Sequence, residues 1–205
     1  MLVVERGNMT DSTKENEPFV IGLALAGAIS AGAYTAGVLD FLFRALASHN
    51  ARVGEAGGPK HRVVIKAMSG TSAGGVSTAA AVASLVDIDP EDLVAKTPLY
   101  SGEGYQYALK PLHDIWVENL KLNDPGNGPG LLGTGDLLDP AKPLTSALDS
   151  DALDKMADGA LLDIRWNGKR HSVICADLDL FLTVTSLSGV PYSVGFANRE
   201  GTPAH

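Results

Sequence analysis

The sequence predicts an α/β fold built on a parallel sheet, and three observations carry that expectation. A short apolar run, FVIGLAL, leads through a Gly/Ala-rich stretch into residues with helical periodicity. A second run, RVVIKAMSG, leads into the small-residue segment AGGVSTAAAVASL. Two strand-loop-helix units in succession call for parallel strands with helical crossovers. Third, HSVICADLDLFLTVTSLSGVPYSVGF alternates apolar and polar residues late in the chain, as further strands would.

Taken in order, residues 1–17 are polar and acidic, without the basic and apolar regions of a secretory signal, and read as a mobile lead-in to one domain over 18–205. Ile21 to Leu25 then form a buried strand, Ala26 to Ala31 a loop, and Gly32 onward a helix, with Val38, Leu39, Leu42, Phe43 and Leu46 at helical spacing. After a polar, Gly-rich break, Val63 to Met68 form a strand and Ala73 to Leu85 a helix pressed closely on the sheet. Residues 87–135, with the Pro/Gly-rich piece NDPGNGPGLLGTG, read as a surface excursion or cap around one helical candidate, Pro111 to Leu120. Asp149 to Leu162 read as another helix, and residues 171–196 as two or three strands broken at SGVP, partly a hairpin.

A chain of 205 residues with 45% apolar and 20% charged residues has the composition of a packed single domain. Its net charge of −8 argues against a basic groove for nucleic acid. The single cysteine, Cys175, excludes an internal disulfide and a Cys-pair metal site, fits a reducing compartment, and reads as a small buried strand residue. No cofactor or metal is expected. The 21 uncharged residues from Phe19 to Leu39 could cross a bilayer by length. They lack flanking basic clusters and are dominated by residues near neutral for insertion, so a buried segment is the stronger reading. A phosphate loop is weaker still, because Ala33 and Tyr34 stand where Lys and Ser/Thr should follow Gly32.

The chemistry-bearing motif is Gly70-Thr71-Ser72-Ala73-Gly74, a G-x-S-x-G sequence between an apolar strand and a small-residue helix. A nucleophile on such a sharp turn projects at a helix N-terminus, whose N–H groups and dipole favour developing negative charge. The small flanking residues let strand and helix approach. The plainer alternative is a tight turn with a capping serine.

With both glycine-rich segments in view, the chain resembles the patatin-like phospholipases. LALAGAISAGAYTAGVLDFL is similar to that family's oxyanion segment, IKAMSGTSAGG to its nucleophile elbow, and VICADLDLFLTVTS to a later strand region. The resemblance covers Phe19 to about Phe196, the N-terminal part of the family's domain. It implies a three-layer α/β/α fold, incomplete here at the C-terminus, and a Ser-Asp dyad acting on lipid esters. Ser72 would be the nucleophile, Gly27, Ala28 and Ile29 the oxyanion hole, and Gly70 and Gly74 the glycines of the elbow. No histidine is required, so His49, His61, His113, His171 and His205 are expected at the surface.

Two departures qualify that expectation. The family loop usually reads Gly-Gly-Gly-x-Arg/Lys-Gly, whereas here it reads Gly27-Ala28-Ile29-Ser30-Ala31-Gly32. Backbone N–H groups supply an oxyanion hole, so the loop can still serve, but Ala31 cannot contact a phosphate. The family's aspartate follows the late strands, whereas Asp158 in Asp158-Gly159-Ala160 precedes them within an expected helix and reads as a decoy. The dyad aspartate is therefore expected beyond His205, the chain being an N-terminal fragment of an enzyme or an inactive module that binds lipid or protein. The expected partners are a lipid or ester substrate, with peripheral membrane contact left open, and the expected location is the cytoplasm. Hydrolysis and transacylation share the acyl-serine and stay undivided.

Overall fold

The computed structural model describes residues 2–3, 17–28, 32–94, 100–101, 104–122, 130–134, 149–162, 164–165, 168–186, 188–189, 191, 196–197 and 203–204. It is a mixed α/β structure with a small, mainly parallel sheet. Strands β1 (Leu2–Val3), β2 (Phe19–Leu25), β3 (Val63–Gly70) and β6 (Ile174–Leu182) lie in the order β1-β2-β3-β6. β2, β3 and β6 run parallel, and β1 pairs antiparallel with β2 through Leu2 opposite Leu23 and Val3 opposite Gly22. Two residues of the expected lead-in thus extend the sheet. Two small antiparallel pairs stand apart from it, β4 (Tyr100–Ser101) with β5 (Gly104–Tyr105), and β7 (Phe196–Ala197) with β8 (Pro203–Ala204).

Helix α1 (Gly32–Ala51) connects β2 to β3, and α2 (Ala73–Asp87) leads away from β3. The short α3 (Pro90–Leu93) and α4 (Lys110–His113) follow; α4 runs directly into a π-helical turn, Asp114–Asn119. α5 (Ser150–Leu161) begins at Asp149, whose side chain accepts from the Asp151 N–H at 3.1 Å. That bond satisfies one of the helix's unpaired first-turn donors.

Apolar spacing explains the packing. On α1, Ala36, Leu39, Phe43, Leu46 and Ala47 recur every three or four residues and are buried against Ile21 and Leu23 of β2 and Ile65 and Met68 of β3. On α2 the buried residues are small, including Ala73, Gly74, Ser77, Ala80 and Ala81, which lets helix and sheet approach closely. Both crossovers step the same way across the sheet, and right-handed crossovers in one direction put their helices on one face. All the sheet-packing residues share one cluster accordingly. The described residues therefore make two layers, and the third layer of the expected α/β/α arrangement is not among them.

Two expectations need correction. Residues 87–135 are not merely a surface excursion, because Leu93, Leu109, Leu112 and Ile115 are fully or almost fully buried in the same core. An ionic anchor holds them there: Asp40 on α1, 1% exposed, accepts from the Ala108 and Leu109 N–H groups at 2.8 and 2.7 Å and from the Tyr105 hydroxyl at 2.7 Å. Arg44, one turn on, lies 3.9 Å from the Asp40 carboxylate and donates to the Gln106 carbonyl. The late strands are also different. Ile174–Leu182 form one strand parallel to β3, and the stretch after SGVP, where a hairpin partner is expected, lies largely outside the described residues. At the edge of the described sheet it is exposed over the consecutive residues Leu180, Phe181 and Leu182. Cys175, on this strand, is only partly buried.

Asn50 ties the units together at the other end of α1. Its amide donates to the carbonyls of Val63 and Ser172 at 2.8 and 2.7 Å and accepts from the Val63 N–H at 2.8 Å. One buried side chain thus joins α1, the start of β3 and the segment entering β6.

Candidate active site

The site forms where β3 ends and α2 begins. Ser72 has φ 54° and ψ −125°, and among the described residues it alone holds a positive φ without being glycine. An L side chain rarely adopts this conformation, which costs about 1–3 kcal/mol and persists only where the surroundings enforce it. Those surroundings are backbone. A Cβ on Gly70 would overlap the Gly74 carbonyl, and one on Gly74 would overlap the carbonyl oxygens of Leu25 and Ala26. The turn is further fixed by the Thr71 N–H donating to Leu25 O at 3.2 Å and the Gly74 N–H to Thr71 O at 2.9 Å. Both glycines of the motif are therefore needed sterically.

The first glycine-rich segment meets this turn. A Cβ on Gly27 would lie 3.0 Å from the Ser72 Cβ and 3.7 Å from its Oγ, so the loop backbone passes directly beside the serine. Ala28 follows in that loop and is partly buried; Ile29, the third expected oxyanion residue, lies outside the described residues. The Ser72 side chain makes no capping bond to α2 and the residue is exposed, so its Oγ faces solvent at the N-terminus of a 15-residue helix. Oriented N–H groups there stabilise negative charge on or beside the serine oxygen.

A base is the part that the described residues do not supply. Asp158 sits on α5 with an exposed side chain that hydrogen-bonds to none of them, Ser72 included. The β6 carboxylates are engaged elsewhere: Asp177 and Asp179 lie 2.7 and 3.5 Å from the Lys66 ammonium. That ammonium's hydrogen bond holds the Asp177 carboxyl below its ordinary range, and Asp177 in turn raises Lys66. No group of three or more His, Cys, Asp or Glu among the described residues could hold a metal ion.

The histidines depart from the expected surface placement in two cases: His113 is only 17% exposed, with its ring against Tyr107, and His171 lies deeper. His171 is 5% exposed, with its Nε2–H donating to the Ile88 carbonyl at 3.0 Å, and burial pushes its pKa below the ordinary value. His49 reaches the His61 carbonyl at 3.2 Å in an exposed contact, and His205 lies outside the described residues.

Sequence reading missed Trp116. Its indole lies over Gly32 at the start of α1 so closely that a Cβ there would overlap the ring unless the indole shifted. The ring is carried on the π-helical turn, a geometry that often marks functional sites. The available signal was an aromatic residue within the apolar run Leu112, Ile115, Trp116.

The fold and site thus define a mixed α/β protein with a strained, exposed serine at a strand-to-helix turn. The chain is 33% identical over 190 residues to the uncharacterized protein y4iI of Sinorhizobium fredii, a match that covers 92% of this chain and 26% of that protein. The chain spans about a quarter of that relative's length. No family model and no solved structure matches the chain. The uncharged stretch that could have been a membrane span is divided between β2, a loop and α1, and no helix among the described residues is long and apolar enough to cross a membrane.

Proposed function

We propose that the chain is a patatin-like serine acyl hydrolase acting on lipid esters, with Ser72 as its nucleophile. The observation behind this reading is the enforced positive φ of Ser72 at the G-x-S-x-G turn, with Gly27 against it. Ser72 Oγ attacks the ester carbonyl carbon, and N–H groups of the Gly27-Ala28-Ile29 loop and of the α2 N-terminus stabilise the oxyanion. Collapse expels the alcohol and leaves an acyl-serine, which water or a second alcohol then resolves. The resemblance assigns the serine proton to an aspartate base. The three-layer patatin-like fold, a lipid substrate and peripheral membrane contact belong to the same proposal.

Ester hydrolysis by the full chain tests it. Ser72→Ala should remove the activity, and unchanged turnover in that variant would refute the proposal. A second reading rests on the absence of a carboxylate bonded to Ser72 among the described residues: a module of this fold that binds lipid or protein without turnover. Binding without any Ser72-dependent hydrolysis would favour it.

A further inference from the structure

The groove between β2 and α1 starts at the loop that touches Ser72. It has a volume of about 450 Å³, with Leu23 and Leu25 on the strand side, Val38 and Leu42 on the helix side, and Gly27 and Ala28 at one end. Among the described residues no charged side chain lines it, and those residues offer no counter-charge to a phosphate or a carboxylate. A second groove of about 500 Å³ shares Tyr34, Val38 and Leu42 with the first and continues to Phe41 and Ala45. Three large side chains along this path are left outside the core: Tyr34 is 76% exposed, Phe41 54% and Val38 44%. From Tyr34 to Ala45 the helix advances about 16 Å, the scale of an extended medium-to-long alkyl chain.

We propose that this path along α1 is the acyl-chain subsite of Ser72, and that it selects esters by the length of an uncharged aliphatic chain. The inference rests on the acyl hydrolase reading of Ser72. Continuity decides the occupant: an ester carbonyl held between Ser72 Oγ and the Gly27 loop places its acyl chain at the mouth of an apolar channel. Each methylene buried there should raise kcat/KM about fourfold, the factor that corresponds to about 0.8 kcal/mol. The gain stops when the channel is full.

Two readouts on the full chain test it. Hydrolysis of a p-nitrophenyl ester series from acetate to palmitate should favour longer chains, and Val38→Trp, which fills the channel, should lower the long-to-short ratio by about tenfold or more. Val38→Asp, at a half-exposed position that tolerates a charge, should act in the same direction if the tryptophan variant fails to fold. Independently of turnover, Ser72→Ala protein should bind the fluorescent fatty acid cis-parinaric acid, and adding either Val38 substitution should weaken that binding. Ser72-dependent hydrolysis with a flat chain-length profile, or a profile unmoved by both substitutions, overturns the subsite and leaves the hydrolase reading standing. Val38-sensitive fatty-acid binding without Ser72-dependent hydrolysis supports the aliphatic channel and overturns the hydrolase reading; failure of both readouts overturns both.

Discussion

The turn at Ser72 and the anchor at Asp40 are both places where the chain is forced into an arrangement it would not adopt alone, and they are held by opposite means. At Ser72 backbone presses on backbone, with Gly70 against Gly74 and Gly74 against Leu25 and Ala26. At Asp40 a buried carboxylate gathers two N–H groups, a hydroxyl and a guanidinium to fasten residues 105–109 onto α1. Steric fixation tolerates no added atom. Electrostatic fixation tolerates no missing one. The first suits a reactive group that must be positioned without its own side chain being consumed, and the second suits a structural seam.

Each half of the comparison can be broken separately. Asp40→Ala should be the most damaging change, costing about 3–5 kcal/mol, because it leaves Arg44 buried without its carboxylate and orphans the Ala108 and Leu109 N–H groups. Chemical denaturation would read the loss directly. Gly74→Ala should cost about 1–3 kcal/mol through overpacking against the Leu25 carbonyl, and should displace Ser72 as well. By contrast, Ser72→Gly should stabilise the protein, by about 1 kcal/mol, because glycine adopts a positive φ without strain. A melting temperature that falls in this variant would mean that the turn is not strained.

A smaller, pH-dependent effect arises outside both places, at His171. Burial lowers the His171 pKa, so the unfolded chain takes up a proton first as pH falls. The folded state is therefore favoured fully above the ordinary histidine value of about 6.5, and stability declines as pH drops below it toward the depressed folded value. The shift in Asp177, on a fully exposed carboxylate, acts only near the ordinary carboxylate range. Replacing His171 with Gln should flatten the decline below about pH 6.5 in a denaturation series while leaving the acid limb in place.

What could be read from the sequence follows the same division. The strands Phe19–Leu25 and Val63–Gly70 and the helix beginning at Ala73 stand where the apolar runs and glycine punctuation put them, since steric and hydrophobic patterns are local in sequence. The Gly27 and Ser72 segments, 45 residues apart, do meet. The seam was not legible, because Asp40 and Arg44 pair with partners some 65 residues away and nothing local marks Leu109, Leu112 and Ile115 as core rather than cap. β6 was hard to place for a related reason: Asp177 and Asp179 interleave with Leu178 and Leu180 as in a half-exposed antiparallel strand, and its parallel partner β3 is remote in sequence. His171 looked superficial amid charged neighbours, and only the tertiary contact with Ile88 buries it.

The central claim is that the backbone holds Ser72 as a nucleophile. The most direct measurement is treatment of the full chain with a fluorophosphonate, followed by intact mass and peptide mapping. A single phosphonyl adduct on Ser72, lost in both Ser72→Ala and Gly74→Ala, is the predicted result. Folded protein that takes up no adduct, or an adduct that persists after Ser72→Ala, would contradict it.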